Sequence, residues 1–352
     1  MKRRNLLLLT VLLLQIVPVA SFAEVCIDGI YYELDTNKKQ AEVTLDKSDN
    51  PNYTKNGLGT YQGIVKIPTT VSYKDITYDV ISIGTGAFSG NNDLETIEIP
   101  NSILQIGNEA FSACKKLQSL TIPKSVTDIG YGILKNSDAV TSIVVDKENT
   151  VYDSRNNCNA IIHTETNELV QGCQNTIIPN TVTRIGDCAF SGCLTLSSID
   201  IPNSVTNIGD DAFSHTGIEE LVLPNSVVYI GTCSFLMCPN LSSVTLSESL
   251  KHIPFFAFAE GAFDSITIPA SVESIDNAFM GIFGSVTSVY FLSPTPPYTT
   301  DNMGLDYNYT TIHVPVGYKD AYENNDLWKG FNIIDDVIPQ KTTGIANVPR
   351  QS

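Results

Sequence analysis

A dipeptide recurs along this chain at a spacing that only a stacked architecture explains. Ile99-Pro100, Ile122-Pro123, Ile178-Pro179, Ile201-Pro202, Leu223-Pro224 and Ile268-Pro269 set prolines 23, 56, 23, 22 and 45 residues apart. The last interval divides into 23 and 22 if Ser247, after Leu246, holds the proline position. Residues 196 to 213, LSSIDIPNSVTNIGDDAF, give the cleanest copy of the surrounding pattern, L-x-x-I-x-I-P-x-S-V-x-x-I-G-x-x-A-F. Its first half returns as Leu94/Ile97/Ile99, Leu117/Leu120/Ile122, Ile218/Leu221/Leu223, Leu241/Val244/Leu246 and Phe263/Ile266/Ile268. The second half returns as Ile106-Gly107 with Ala110-Phe111, Ile185-Gly186 with Ala189-Phe190, and drifted copies ending Ser234-Phe235 and Ala257-Phe258.

The period dictates the shape. I-x-I alternation predicts a strand with both isoleucines pointing inward. Proline ends that strand because it has no N–H for a ladder. S-V-x-x-I-G turns the chain and returns inward twice, and Ala-Phe packs one small and one large side chain on a short 3₁₀ or helical turn. A unit of this size cannot bury its apolar face alone, so each coil must stack on the next. At ~4.8 Å per stacked strand, about ten coils make a β-rich rod or arc on the order of 45–50 Å long.

The pattern resembles the BspA-like leucine-rich repeats of bacterial surface proteins, and the resemblance runs over roughly residues 60 to 335. It implies a leucine-rich-repeat solenoid of stacked parallel strands over 67–315. The long interval between Pro123 and Pro179 then holds an enlarged coil, about 146–178, of a kind the family uses repeatedly. Both ends depart from the period. Gly29 to Leu34 and Gln40 to Leu45 alternate like two strands around Asn37-Lys38-Lys39, which predicts a hairpin in an N-terminal β cap, 24–66. The first coil, with Pro68 and Ile83-Gly84, is stretched by an insert near Ser72 to Asp79. Tyr318, Tyr322, Trp328 and Phe331 stand at near-helical spacing and predict a C-terminal helical cap, 316–338. A polar tail, 339–352, follows. It contains Thr342-Thr343-Gly344-Ile345, a stretch with which a sorting domain can begin in the family, but too little chain remains for one.

The first residues predict export. Lys2, Arg3 and Arg4 precede an apolar run from Leu6 to Val17, and Ser21-Phe22-Ala23 offers a signal-peptidase site, giving a signal peptide over 1–23. A run of 12 residues is shorter than the ~20 a membrane span needs. Val25 before Cys26 does not suit a lipoprotein signal. Cleavage removes three cations and leaves 18 Lys and Arg against 38 Asp and Glu, a formal charge of −20. That field disfavours nucleic acid and anionic lipid.

Residues for chemistry are scattered. His163, His215, His252 and His313 fall in different coils, and none stands near a Ser or Cys of its own coil at a suggestive spacing. Asp46 to Asn50 begins like a calcium loop, but Pro51 stands where glycine is needed and Gly57 where glutamate is needed. No catalytic residue, metal site or cofactor is therefore expected. Cys114, Cys193 and Cys238 share one repeat slot, and Cys188 and Cys233 another, as small buried residues would. Cys158 and Cys173 flank the strands of the enlarged coil and could form a disulfide across it in an oxidising compartment.

Two columns of residues point outward from the I-x-I strands. One reads Thr96, Ser119, Ser142, Ser198, Glu220, Ser243, Ser265 and Ser288; the other Glu98, Thr121, Val144, Asp200, Val222, Thr245, Thr267 and Tyr290. Candidate ligand contacts are the hydroxyls of Thr96, Ser119, Ser198, Ser243 and Ser265, the carboxylates of Asp200 and Glu220, and Tyr290. A ladder of hydroxyls equally suits a crowded flat sheet, and Tyr290 alone has the usual character of a binding hot spot. The enlarged coil, expected to protrude with Tyr152, Arg155, Asn156 and His163, is an independent candidate. The resemblance implies a monomeric surface or secreted protein that binds an extracellular protein or glycan, by adhesion to host matrix or other cells. The alternatives are a passive spacer or a carbohydrate-binding accessory.

Overall fold

The computed structural model describes residues 22–45, 61–281 and 286–336. Three antiparallel strands open it: β1 (Phe22–Ile27), β2 (Ile30–Asp35) and β3 (Gln40–Thr44). The turn between β2 and β3 is the expected hairpin, with Asp35 Oδ1 accepting the N–H groups of Asn37 and Lys38 at 3.0 Å each. β1 is an additional strand, and the expected cleavage point after Ala23 lies within it. β3 then pairs in parallel with Ile76–Ile83, which pairs in parallel with Gln105–Ile106, so the hairpin continues directly into the stack. Residues 63–66, placed with the cap on sequence grounds, pair in parallel with Leu94–Glu98 and belong to the stack. The insert of the first coil is a hairpin whose turn residues, Lys74 and Asp75, both have positive φ, as a tight two-residue hairpin turn requires.

Each coil is held to its neighbours along three edges. On the first, the I-x-I strands run parallel in register, Ser119–Ile122 with Ser142–Val145 and Ser265–Ile268 with Ser288–Phe291. The proline then accepts from the valine three residues on, Val205 N–H to Pro202 O at 3.0 Å for example. Leu250 N–H donates to Ser247 O at 3.2 Å in the same way, so Ser247 does hold the proline position. On the second edge, pairs of residues ending at the I-G isoleucine form short parallel strands, among them Arg184–Ile185, Asn207–Ile208 and Tyr229–Ile230.

The third edge carries the Ala-Phe segment, which forms turns but no helix. Bonds of three-residue spacing, such as Ser191 N–H to Cys188 O (3.1 Å), alternate with bonds from coil to coil, as in Phe190 N–H to Ala212 O (2.7 Å) and Phe213 N–H to Ser234 O (2.8 Å). Two left-handed residues bracket the segment and make it possible. The first stands two after the glycine (Glu109, Cys188, Asp211, Cys233), the second two after the phenylalanine (Ala113, His215, Met237, Glu260). Between them the phenylalanine rings stack almost parallel: Phe190 on Phe213 at 4.9 Å, Phe213 on Phe235 at 5.4 Å, and Phe235 on Phe258 at 5.5 Å.

The enlarged coil does not protrude. It forms an antiparallel hairpin, Ala160–His163 with Glu168–Gly172, flanked by Tyr152–Asp153, and Glu168–Leu169 joins the second edge beside Arg184–Ile185. Successive residues of its central strand face opposite ways. Ile161 enters the N-terminal part of the apolar core, while Ala160 and Ile162 enter the C-terminal part. The hairpin is a wedge that divides the core in two.

At the far end Thr311–Pro315 pairs in parallel with Ser288–Phe291 on one side and with Asn332–Asp336 on the other. Between them α1 (Lys319–Glu323) is one short helix rather than a helical cap through 338. Of the residues that suggested helix, Tyr318 is exposed while Tyr322, Trp328 and Phe331 are buried: Trp328 meets Phe291 edge to face at 4.9 Å and Tyr322 at 5.2 Å.

Candidate functional site

The outward columns of the first edge are real. Register pairs Ser119 with Ser142, Glu220 with Ser243, and Ser265 with Ser288 in one column, and Thr121 with Val144, Val222 with Thr245, and Thr267 with Tyr290 in the other. Thr96, Ser119, Ser198, Asp200, Glu220 and Ser265 are exposed, while Ser243 and Tyr290 are half-buried. One face of Tyr290 is covered, because its ring lies on that of His313 with centroids 4.3 Å apart. His313 Nδ1 in turn stands 3.5 Å from Asp336 Oδ2.

Counting slots back from Pro179 assigns Asn175 and Ile177 to the two columns, and the sequence columns omitted both. Asn175 Nδ2 donates to Thr141 O of the preceding coil (3.2 Å), and Ile177 N–H donates to Cys158 O at the wedge (3.0 Å). Ile177 is 75% exposed between buried Thr176 and Ile178. Val144 at 48% and Val222 at 54% share its column. The Ile-Pro dipeptide at 178 carried this information, but the irregular spacing around it hid the alignment.

The enlarged coil uses its candidate residues for packing. Tyr152 is buried, its hydroxyl accepts from Ile129 N–H at 3.1 Å, and its desolvated phenol has a raised pKa. Arg155 grips Asp153 through Nε (2.8 Å) and Nη2 (2.7 Å), and reaches Asn167 (2.7 Å) and Thr181 (3.2 Å) through Nη1. Donating these hydrogen bonds to Asp153 holds that guanidinium's pKa above its ordinary value. His163 is half-buried with its ring edge on Tyr152 (5.4 Å), so only Asn156 of the four is fully open.

Cys158 and Cys173 are separate buried thiols. The Cys173 thiol donates to Asn159 O at 3.5 Å and the Cys158 thiol to Ala160 O at 3.9 Å. The slot three residues after the phenylalanine explains the recurrent cysteines. Cys114 donates to Phe88 O (3.1 Å) and Cys238 to Phe213 O (3.2 Å), while Ser137 and Thr216 in the same slot bond Phe111 O (2.7 Å) and Phe213 O (2.9 Å). A small donor serves the slot in these coils, and after Phe258 it is filled by Gly261, which has none. Burial pushes the thiols of Cys114 and Cys193 up to about 12 and that of Cys188 up to about 11, which leaves them poor nucleophiles.

Stacking also produces a juxtaposition that sequence spacing hid. His252 lies opposite Ser274 of the next coil, with Nδ1 2.8 Å from Ser274 Oγ and Nε2 3.3 Å from Asp276 Oδ2. A serine, a histidine and a carboxylate in line invite comparison with a hydrolytic triad. The nearby backbone N–H groups are spent between coils, however: Ser274 to Lys251 O (3.4 Å), Ile275 to Tyr298 O (2.9 Å) and Asp276 to Ile253 O (2.9 Å). None points at where an oxyanion would develop, so the contact ties coils together.

A shallow polar groove on the second edge, lined by Arg184, Asp187, Asn207, Gly209, Asp210 and Tyr229, is similarly committed. Asp187 accepts from Asp210 N–H (3.1 Å) and Asp210 from Thr232 N–H (2.8 Å). Among the described residues no three His, Cys, Asp or Glu side chains gather as a metal site, and no helix is long and apolar enough to cross a membrane. The calcium-like stretch from Asp46 lies outside the described residues.

A family model for the BspA type leucine-rich repeat region matches residues 69–166 and 162–282, in six copies. No curated protein matches the chain. Solved structures of similar fold include a leucine-rich cell surface protein from Faecalibacterium prausnitzii, with 16% identity and a TM-score of 0.38 over 90% of this chain and 95% of that one. A leucine-rich repeat protein from Eubacterium ventriosum shows 17% identity and a TM-score of 0.48 over 93% and 99%. The pneumococcal vaccine antigen PcpA shows 16% identity and a TM-score of 0.46 over 90% and 99%.

Proposed function

Because the chain belongs to the BspA-type leucine-rich repeat family, we propose that it is a non-catalytic protein, exported to the cell surface or secreted, that adheres to an extracellular partner. Host matrix proteins and other cells are the partners this reading favours. One observation carries it. The buried side chains go to packing and to bonds between coils, whereas the outward columns expose Thr96, Ser119, Ser198, Asp200, Glu220 and Ser265.

Binding of the chain from Glu24 onward to immobilised matrix proteins and glycans tests the reading. Saturable, salt-resistant binding to one of them is the expected result. Absence of any saturable binding would favour a passive spacer. Replacing Ser198, Ser243 and Ser265 by Arg should abolish binding through the sheet; unchanged affinity would move the site elsewhere on the coil surface.

A further inference from the structure

Charge is distributed unevenly along the stack. In the N-terminal half, lysines neutralise carboxylates of neighbouring coils: Lys66 with Glu98 (2.8 Å), Lys116 with Asp93 (2.6 Å) and Lys124 with Glu148 (2.7 Å). From residue 185 to 318 the sequence carries 13 Asp and Glu but one cation, Lys251, which pairs with Glu273. The outward side of the coils in that stretch presents Asp200, Glu219 and Glu220, all exposed and none paired with a cation among the described residues.

Apolar side chains stand between these carboxylates. By repeat register the outward column runs Ile177, Asp200, Val222 on successive coils, so two aliphatic groups lie roughly 10 Å apart with a carboxylate between them. Ile177 is 75% exposed, more than any other large apolar residue described. Burying an outward isoleucine and valine together under a partner is favourable. The unneutralised field favours a partner of opposite sign and repels an acidic one.

We propose that the face centred on Ile177, Asp200 and Val222, with Glu219 and Glu220 at its rim, docks a basic polypeptide segment. That segment presents an aliphatic, a cationic and an aliphatic side chain in order along one face, as alternate residues of an extended chain do. Ile177 and Val222 take the aliphatic groups, and Asp200 takes the cation with support from Glu220. The assignment rests on the binding function proposed above and names the class of partner.

A short peptide repeating Leu-Ser-Lys-Ser, which in extended form carries leucine and lysine in turn on one face, serves as the lysine–leucine probe. Replacing its leucines by serine gives the lysine–serine control and its lysines by glutamate the glutamate–leucine control, all measured against the chain from Glu24. The lysine–leucine peptide should bind at least tenfold more tightly than either control. The double variant Ile177→Ser/Val222→Ser should weaken it about tenfold, and Asp200→Asn/Glu220→Gln should weaken it and flatten its dependence on salt. Both variants alter only exposed side chains, and an unchanged melting temperature confirms the fold. Equal binding of the lysine–serine peptide, or indifference to the Ile177/Val222 variant, overturns the proposal as diffuse electrostatic attraction. Matrix binding that survives both double variants also overturns this site while leaving the adhesive function standing. Loss of matrix binding together with peptide binding supports both.

Discussion

Replacing Phe213 by alanine tests the ring ladder and the division of the core together. Phe213 is fully buried between Phe190 at 4.9 Å and Phe235 at 5.4 Å, tilted from them by only 4° and 3°. Truncating a buried phenylalanine costs about 3–5 kcal/mol, and two stacked partners place this site at about 4–5 kcal/mol. Phe111 has one ring neighbour, Phe88 at 5.5 Å, because Leu134 takes the phenylalanine slot of the next coil. Phe111→Ala should therefore cost roughly 1 kcal/mol less. The single tryptophan, Trp328, lies in the same part of the core as Phe213. Its fluorescence during urea unfolding reports that block, and hydrogen exchange reports both. With a slope of about 3 kcal/mol per molar urea, Phe213→Ala should lower the Trp328 midpoint by about 1.5 M. Phe111→Ala should act mainly on amides before the wedge, since each coil contacts only its neighbours. Equal shifts of the Trp328 transition in the two variants would refute the division, and a loss under about 1 kcal/mol for Phe213→Ala would refute the ladder.

Gly172→Ala should destabilise by about 1–3 kcal/mol through overpacking, because a Cβ there would overlap the Phe190 ring; a thermal melt reads the loss. Stability should fall as pH rises from about 9 toward 12. The unfolded chain releases its thiol protons first, while Cys114 and Cys193 hold theirs to about 12, so folding is unaffected below 9 and opposed above it. Cys114→Ser keeps the donor to Phe88 O and should reduce that slope in denaturation midpoints taken at several alkaline pH values. In the native protein Cys26, the exposed cysteine, should react first with a maleimide. All 8 thiols should react after unfolding without reductant; a count two lower, with Cys158 and Cys173 the unlabelled pair in a peptide map, would establish a bridge between them. Mass measurement of the exported product should give Glu24 as its first residue.

The repeat by itself determined the solenoid. A period of 22 or 23 residues with apolar side chains at fixed slots has one way to bury them all, so the inward residues and most strands at Ile-Pro could be placed beforehand, although Ile178-Pro179 and Ile201-Pro202 form no strand. The short strands ending at the I-G isoleucine and the stacking of the rings appeared only in the fold. Even the substitution of Ser247 for proline was legible, because its neighbours kept their slots. Residues that depend on a neighbouring coil were not legible. The left-handed positions bracketing Ala-Phe hold Glu109, Cys188, Asp211 or Cys233 with no common side chain, since the strain is imposed by the coil-to-coil backbone ladder. His252, Ser274 and Asp276 meet only because stacking brings residues 22 apart face to face. Tertiary structure likewise turned the enlarged coil from an expected protrusion into a wedge: Ala160, Ile161 and Ile162 are apolar in succession, and burial on both faces requires core on either side of them. Ile177, whose N–H donates to Cys158 O of that coil, is 75% exposed. Sequence decided which residues must be buried, and stacking decided which of the rest share a surface.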